Sequence, residues 1–172
     1  KIENTDKNKI CGFVGDLANM EASFIFKEFF DRTINSNNYE SRSTQSFIDT
    51  SARENYLFNT KINGIEQSDL ILLIGTNPRF EATMVNARIR KSYLNNNVKI
   101  ISLNDVGDLT YPYKVLDGKT QTIKDIAENK NEVSKNIIDS KNPMIIFGES
   151  FLNTKSASLL FYSIKNFLLK NN

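Results

Sequence analysis

The fold is decided by Asp69-Leu70-Ile71-Leu72-Leu73-Ile74-Gly75-Thr76-Asn77-Pro78-Arg79-Phe80-Glu81. A continuous apolar run of this length, bounded by turn residues, is typical of a central parallel strand that is buried on both faces. Pro78 suits an early helical position and Glu81 suits the positive end of a helix, so a helix should follow the strand. The apolar stripe predicted for that helix consists of Ala82, Val85, Ile89 and Tyr93.

Short apolar strands alternate with amphipathic helices on both sides of this unit. The further predicted strands are residues 10–15, 98–103 and 143–148, with a short strand near Tyr39. Helices are predicted from a cap at Asn19 to about Arg32, and over residues 120–127, 132–140 and 155–169. In the first helix, Ala22, Phe26, Phe29 and Phe30 should face a sheet. This order predicts an α/β fold, with a Rossmann-like, mostly parallel sheet and helices on both faces.

Domain organisation follows from the absence of internal repeats, low-complexity linkers and obvious boundaries. The sequence therefore predicts one α/β domain over residues 1–172, a length that can bury a proper core. The polar residues 1–8 are expected to be frayed.

The composition excludes several kinds of site. The chain has no His and one Cys, so it lacks the ligands of zinc and iron–sulfur sites and the usual general base of nucleophilic triads. The Cys is Cys11, which lies in an apolar run and is predicted to be a buried structural thiol. We therefore expect neither catalytic residues nor a metal site.

Charge and hydropathy also restrict the partners. Lys and Arg total 22 against 20 Asp and Glu, and the net charge of +2 forms no basic cluster of the kind that nucleic-acid binding requires. No apolar stretch has the length of a membrane-spanning helix, so direct membrane insertion is not expected. Arg88, Arg90 and Lys91 should lie on the outer faces of their helix. They form either a solvated surface or a contact with a partner.

The loop Gly75-Thr76-Asn77-Pro78 is the nearest thing to a ligand site. Ligands of open α/β sheets collect beyond the carboxyl ends of the strands, where helix N-termini offer free N–H groups to anions. The loop has one Gly where phosphate cradles need several, and Glu81 would place negative charge beside the anion. These features favour a structural turn and leave a nucleotide site open.

Two other patterns have ordinary structural explanations. Gly12-Phe13-Val14-Gly15-Asp16 lacks the third Gly of the dinucleotide fingerprint and is more typical of a plain strand-to-helix turn. Asp105 and Asp108 flank Gly107 and could be paired carboxylates. Acids in such loops are usually solvated or form Asx turns.

A family resemblance rests on four runs in the central part of the chain. These are Asn55-Tyr56-Leu57-Phe58-Asn59-Thr60, Ile65-Glu66-Gln67-Ser68-Asp69, Leu72 to Ala82, and Asn86-Ala87-Arg88-Ile89-Arg90-Lys91. Together they resemble the C-terminal region of the largest iron–sulfur subunit of respiratory complex I, the NADH:ubiquinone oxidoreductase. That region has the fold of a molybdopterin oxidoreductase.

The resemblance implies a role for the loop. In molybdenum enzymes of this fold such a loop helps to bind molybdopterin guanine dinucleotide, whereas the complex I version is understood to hold no molybdenum. Gly75, Thr76, Asn77 and Pro78 would then be a retained loop, and the chain would have no cofactor of its own. The iron–sulfur clusters would lie in the partner part of the same subunit, since this chain lacks their Cys ligands.

The leading hypothesis is a non-catalytic structural subunit of the peripheral arm of complex I. We expect a separately encoded C-terminal half that contacts the cluster-bearing half and other subunits through Arg79, Arg88, Arg90 and Lys91. The abundance of Lys, Asn, Ile and Phe matches AT-rich codons, as found in many organelle genomes. A mitochondrial location is therefore favoured, on the matrix side of the inner membrane. The alternative location is the cytoplasmic face of a bacterial membrane.

Two rival functions belong to other classes. One is a cofactor-binding module that retains a nucleotide or molybdopterin guanine dinucleotide site. The other is the nucleotide-binding domain of a thiamine-type or sirtuin-type enzyme, in which the run from Asn86 to Lys91 has no reason to occur.

Overall fold

The computed structural model describes residues 2–15, 17–41 and 46–171. Within it the chain divides into two units, Lys1–Gln45 and Ser46–Asn172. The prediction of one domain over residues 1–172 stays a prediction. Asp16, which the sequence places in the turn after the first strand, and residues 42–45 lie outside the described residues.

The first unit is built around one helix. Its elements are 3-10 turns at Ile2–Asn4 and Lys7–Lys9, strand β1 (Gly12–Phe13), helix α1 (Met20–Phe29) continuing as a π-helix (Phe30–Ile34), and strand β2 (Tyr39–Glu40). The predicted cap is confirmed, since Asn19 Oδ1 accepts the Ala22 N–H at 2.8 Å. β1 and β2 pair in parallel. Gly12 packs on the Phe26 and Phe30 rings, where any Cβ would clash.

One prediction for this unit is wrong, and two are confirmed only in part. Cys11 is exposed, so it is no buried structural thiol. The strand predicted over residues 10–15 is only the two residues of β1, and the Phe13 side chain is exposed. Of the helix stripe, Phe30 is buried and Phe26 partly so, whereas Ala22 and Phe29 are exposed. The common reason is that two paired residues make no sheet face broad enough to cover a helix.

The second unit contains the main sheet and most of the helices. Its 3-10 helices are Arg53–Asn55 and Ile62–Gln67. Its strands are β3 (Leu70–Ile74), β4 (Lys99–Leu103), β5 (Lys114–Leu116) and β6 (Pro143–Phe147). Its α-helices are α2 (Pro78–Glu81), α3 (Thr83–Asn96), α4 (Thr120–Ala127), α5 (Glu132–Asp139), α6 (Glu149–Leu152) and α7 (Ala157–Asn171).

The sheet confirms the predicted fold class. The strand order is β5-β4-β3-β6, and every pair is parallel. Every residue of β3 is buried, as predicted for a central strand. Burying each of its aliphatic side chains contributes about 2 kcal/mol before chain entropy is counted. β5 and α6 were not predicted, because segments of three and four residues are too short to show a period.

Helices cover both faces of this sheet. On one face Leu70, Leu72 and Ile74 pack against α4, α5, α6 and α7. The buried residues of α7 include Leu160, Ile164 and Phe167. On the other face Ile71 and Leu73 pack with Ile65, with Ile89 of α3, and with Leu109 and Tyr111 of the loop after β4.

The predicted stripe on the helix after β3 is confirmed except at Ala82. Ile89 is buried, and Val85 and Tyr93 pack against the same core cluster. Ala82 lies between two helices instead of inside one, and Asn86 and Ser92 of α3 are also buried.

Candidate functional site: the loop after strand β3

The carboxyl ends of β3 and β6 mark the point where chain connections leave the sheet in opposite directions. In open parallel sheets a ligand crevice is expected at such a point. Here the two ends touch. The Gly148 N–H donates to the Ile74 carbonyl at 2.8 Å, and Ser150 Oγ donates to the Gly75 carbonyl at 2.6 Å. The space between the strand ends is filled by the protein itself.

Two glycines allow this close approach. Gly75 has a φ of +62°, and a Cβ there would lie 2.5 Å from the Phe151 backbone nitrogen. Gly148 is buried against the Gly75 carbonyl and Thr76, where a Cβ would also clash. Each position therefore requires Gly for contact between protein segments.

Glu81 takes the hydrogen-bond donors that an anion would need. Its Oε1 accepts the Asn77 N–H at 2.7 Å, and its Oε2 accepts the Thr76 hydroxyl at 3.0 Å. Thr76 is buried, so its hydroxyl has little room for another acceptor. The Glu81 carboxylate thus accepts two hydrogen bonds that a bound phosphate would otherwise accept.

Asn77 and Arg79 bind the backbone of the loop that follows β4. Asn77 Nδ2 donates to the Val106 carbonyl at 2.8 Å, while its Oδ1 accepts the Arg79 N–H at 3.1 Å. Arg79 Nη1 donates to the Asp108 carbonyl at 2.8 Å and to the Asp108 carboxylate at 2.7 Å. Both side chains therefore tie α2 to the neighbouring loop.

Asn86 of α3 makes a third tie to the same loop from a buried position. Its Nδ2 donates to the Leu109 carbonyl at 3.1 Å, and its Oδ1 accepts the Tyr111 hydroxyl at 2.7 Å. Burial raises the pKa of Tyr111, which keeps its hydroxyl protonated as a donor. We call residues 106–111 the stapled loop, because Asn77, Arg79 and Asn86 each bind one of its carbonyl groups.

The ion pair at the stapled loop contributes less to stability than the hydrogen bonds of the loop do. The Thr110 N–H, followed by the Arg79 guanidinium, lowers the pKa of Asp108. The Asp108 and Arg79 side chains are 72% and 41% exposed, and exposed ion pairs contribute little to stability. Losing the hydrogen bond to the carbonyl of the buried Leu109 would cost more stability.

The sequence-predicted contact residues separate into two groups. Arg88 and Lys91 both pair with Glu66, Lys91 at 2.8 Å, and these two cations lower the pKa of Glu66, Lys91 more than Arg88. Arg79 pairs with Asp108. In the described part of the chain Arg90 has no ion pair or hydrogen-bond partner, and it is exposed.

The acidic residues of the loop form Asx turns, as the sequence suggested. Asp105 Oδ1 accepts the Gly107 N–H at 2.9 Å, and Asp108 Oδ1 accepts the Thr110 N–H at 2.7 Å. Over residues 2–15, 17–41 and 46–171, no three His, Cys, Asp or Glu residues lie close enough together to hold a metal ion. No helix in these ranges combines the length and apolarity needed to cross a membrane.

Comparison with known proteins decides the family. The molybdopterin oxidoreductase family model matches residues 1–172. The chain belongs to the molybdopterin oxidoreductase family. It is 34% identical over 177 residues to the NADH-ubiquinone oxidoreductase 75 kDa subunit of Reclinomonas americana, covering 96% of this chain and 25% of that protein.

Two further relatives carry related names. The chain is 32% identical to the mitochondrial NADH dehydrogenase (ubiquinone) iron-sulfur protein 1 of Solanum tuberosum, covering 95% of this chain and 22% of that protein. It is 35% identical to an NADH-quinone oxidoreductase subunit of Rickettsia bellii, covering 87% of this chain and 22% of that protein. The resemblance to the complex I subunit is thereby confirmed. The chain spans about a quarter of the length of these relatives.

The molybdopterin oxidoreductase family implies a molybdopterin guanine dinucleotide at this loop, and the residues present do not fit one. A pyrophosphate needs free N–H or O–H donors and the close approach of a glycine backbone. The Asn77 N–H and the Thr76 hydroxyl bind Glu81, and the Gly75 backbone is covered by Phe151. An anion here would also meet the negative charge of Glu81.

Sequence reasoning found the loop but missed three residues that define it. From the sequence, Asn86 is only part of the run from Asn86 to Lys91 that carries the family resemblance. A buried polar residue on a helix needs a hydrogen-bond partner, and that is the signal that could have identified it. Gly148 and Ser150 gave no usable signal, because their meaning depends on β6 lying next to β3.

Proposed function

We propose that this chain is a non-catalytic structural part of respiratory complex I. It would form the molybdopterin oxidoreductase-like region of the largest iron–sulfur subunit and support the part that holds the clusters. It would have no cofactor of its own. Electrons passing from NADH toward ubiquinone would cross other parts of the assembly.

One observation carries this proposal. The polar groups of the loop after β3 bind other groups of the same chain: Thr76 and the Asn77 N–H bind Glu81, while the Asn77 amide and Arg79 bind the stapled loop. A loop whose polar groups are used in this way holds α2 and the stapled loop together. The names of the relatives support membership of complex I, because each is a subunit of an NADH dehydrogenase.

The proposal includes partners and a place in the cell. The partners are the cluster-bearing part of the same subunit and other complex I subunits. The contacts would use cations of α2 and α3, namely Arg79, Arg88, Arg90 and Lys91. The assembly would lie on the matrix side of the mitochondrial inner membrane, or on the cytoplasmic face of a bacterial membrane.

Native-gel fractionation of membranes, with mass spectrometry of each fraction, tests the assembly. We expect peptides of this chain to co-migrate with NADH dehydrogenase activity after mild detergent extraction. A small free species, absent from every active fraction, would overturn the proposed membership.

A second experiment tests the absence of a cofactor. The purified chain is denatured, the released small molecules are analysed for guanine nucleotides and pterins, and the protein is analysed for molybdenum and iron. We expect less than about 0.1 mole of each substance per mole of chain, because the hydrogen-bond donors of the loop already bind other groups of the protein. A stoichiometric nucleotide that is lost in Asn77→Ala would instead establish the cofactor-binding alternative.

A further inference from the structure

A groove runs along α3 beside the stapled loop. Its volume is about 350 Å³, and it lies between α3 and the far end of the stapled loop. Its lining residues are Arg79, Thr83, Asn86, Ala87, Arg90, Lys91, Leu94, Asn95 and Thr110. We call it the α3 groove.

The α3 groove is basic. Three of its lining residues are cations, and none carries a carboxylate. Lys91 shares Glu66 with Arg88, and Arg79 pairs with Asp108, so these groups leave about one positive charge uncompensated. Arg90 adds a second charge, since it has no partner among residues 2–15, 17–41 and 46–171.

Large apolar side chains are exposed on α3 and on α2, which precedes it. Leu94 lines the groove and is 66% exposed, and Met84 in the first turn of α3 is 65% exposed. Phe80, which lies in α2 shortly before Met84, is 80% exposed. A surface that combines exposed apolar anchors with an Arg whose charge is not neutralised has the composition of a protein interface.

One wall of the groove is held in a strained, fixed shape. Thr110 has a φ of 73°, an unfavourable conformation for a β-branched residue. Its two neighbours in the chain are both held by Asn86, which donates to the Leu109 carbonyl and accepts the Tyr111 hydroxyl. Strained residues that the surrounding structure over-determines are concentrated at binding sites, and a fixed wall reduces the entropy lost on binding.

We propose that the α3 groove docks a segment of a partner protein that carries an acidic residue next to an apolar one. The carboxylate would bind Arg90, with Lys91 beside it, and the apolar side chain would pack on Ala87 and Leu94. The small net charge and the apolar area favour a protein segment over a nucleic acid, which requires many cations along a phosphate backbone. This inference rests on the proposed function, since it names the chemistry by which the chain joins its assembly.

Photo-cross-linking in the full chain tests the groove directly. A benzophenone amino acid replaces Leu94, and a control probe replaces Lys135, an exposed residue of α5. Membranes are irradiated before extraction and the adducts are mapped by mass spectrometry. We expect the Leu94 probe, unlike the Lys135 probe, to label one protein segment that has an Asp or Glu within a few residues of the labelled position.

Charge reversal then tests the chemistry. Arg90→Glu in the Leu94-probe chain should reduce the adduct about tenfold, equivalent to about 1.4 kcal/mol of lost affinity. Lys135→Glu makes the same charge change elsewhere and should leave the adduct unchanged. Changing the labelled partner's acidic residue to Lys should restore the adduct of Arg90→Glu. Arg90 is exposed and unpaired among the described residues, so its variants should melt within a few degrees of the parent chain.

Several results would overturn the docking proposal. They are labelling by the Leu94 probe no stronger than by the Lys135 probe, adducts only with lipid or nucleic acid, labelling of a segment without a carboxylate, and an adduct that persists in Arg90→Glu. These outcomes are separate from the proposed function. Co-migration with NADH dehydrogenase activity is measured on the parent chain, whereas the groove is judged from the mapped adducts, whichever protein they identify.

Discussion

Replacing Asn86 with Ala should destabilise the chain by about 3 kcal/mol, because it leaves buried polar groups without partners. The Leu109 carbonyl would lose its bond from Asn86 Nδ2, and the Tyr111 hydroxyl would lose its acceptor, Asn86 Oδ1. Leu109, Tyr111 and Asn86 are all buried, so water cannot easily replace these bonds. Each unsatisfied buried group costs about 1–3 kcal/mol, and the better helix propensity of Ala returns roughly 0.6 kcal/mol.

A double-mutant cycle separates the hydroxyl from the rest. Tyr111→Phe alone leaves one acceptor of Asn86 unpaired and should cost about 1 kcal/mol. The double variant has no unpaired hydroxyl, so its loss should be smaller than the sum of the single losses by about 1 kcal/mol. Asn95→Ala, on an exposed position of the same helix, is the matched control and should change stability by less than about 0.5 kcal/mol.

Urea unfolding followed by far-UV circular dichroism measures these differences, supported by thermal melts. For a chain of this size, about 3 kcal/mol corresponds to a melting temperature lower by roughly 6–12 °C. A cost for Asn86→Ala no larger than that of Asn95→Ala would refute the staple, as would strict additivity with Tyr111→Phe.

Three further predictions concern other buried or strained positions. Ser92→Ala should raise the melting temperature by about 2–4 °C, because the buried Ser92 hydroxyl has no hydrogen-bond partner among the described residues. Removing this hydroxyl removes about 1 kcal/mol of desolvation cost. An unchanged or lower melting temperature would contradict the prediction. Gly75→Ala should lower the free energy of unfolding by more than about 2 kcal/mol, because the new Cβ meets the Phe151 backbone. Gly107 has a φ of +78° but open space around it, so Gly107→Ala should cost about 1 kcal/mol. Equal costs in urea unfolding would show that the contact between Gly75 and Phe151 is unimportant. The Tyr162 hydroxyl, and then Ser51, lower the pKa of Asp49 from 3.8 to about 2. The pKa of Asp49 is lower in the folded than in the unfolded state, so the stabilisation is present above pH 4 and is lost as the pH falls toward 2. Asp49→Asn should therefore lower the urea midpoint at pH 7 and reduce the fall of that midpoint between pH 4 and pH 2. An unchanged pH profile would argue against the hydrogen bond from Tyr162 to Asp49.

Periodicity was sufficient to predict most of the second unit. β3, β4, β6, α4, α5 and α7 were each predicted within about three residues, because buried strands and amphipathic helices leave strong local patterns. The first unit was predicted poorly: Cys11 is exposed, and Ala22 and Phe29 do not face a sheet. Local apolarity predicts burial only where a large enough surface exists to cover the residue.

The candidate site shows the same division. The sequence by itself determined that the chain has no His and one Cys, that β3 leads into a Gly-Thr-Asn-Pro loop, and that the loop resembles that of a known family. Only the tertiary structure decided what the loop does. The acceptors of Asn77, Arg79 and Asn86 lie 23 to 29 residues away along the chain, on a loop that approaches because β4 pairs with β3. Local patterns specify which segments form strands and helices, whereas the partner of a polar side chain is set by which strands become neighbours.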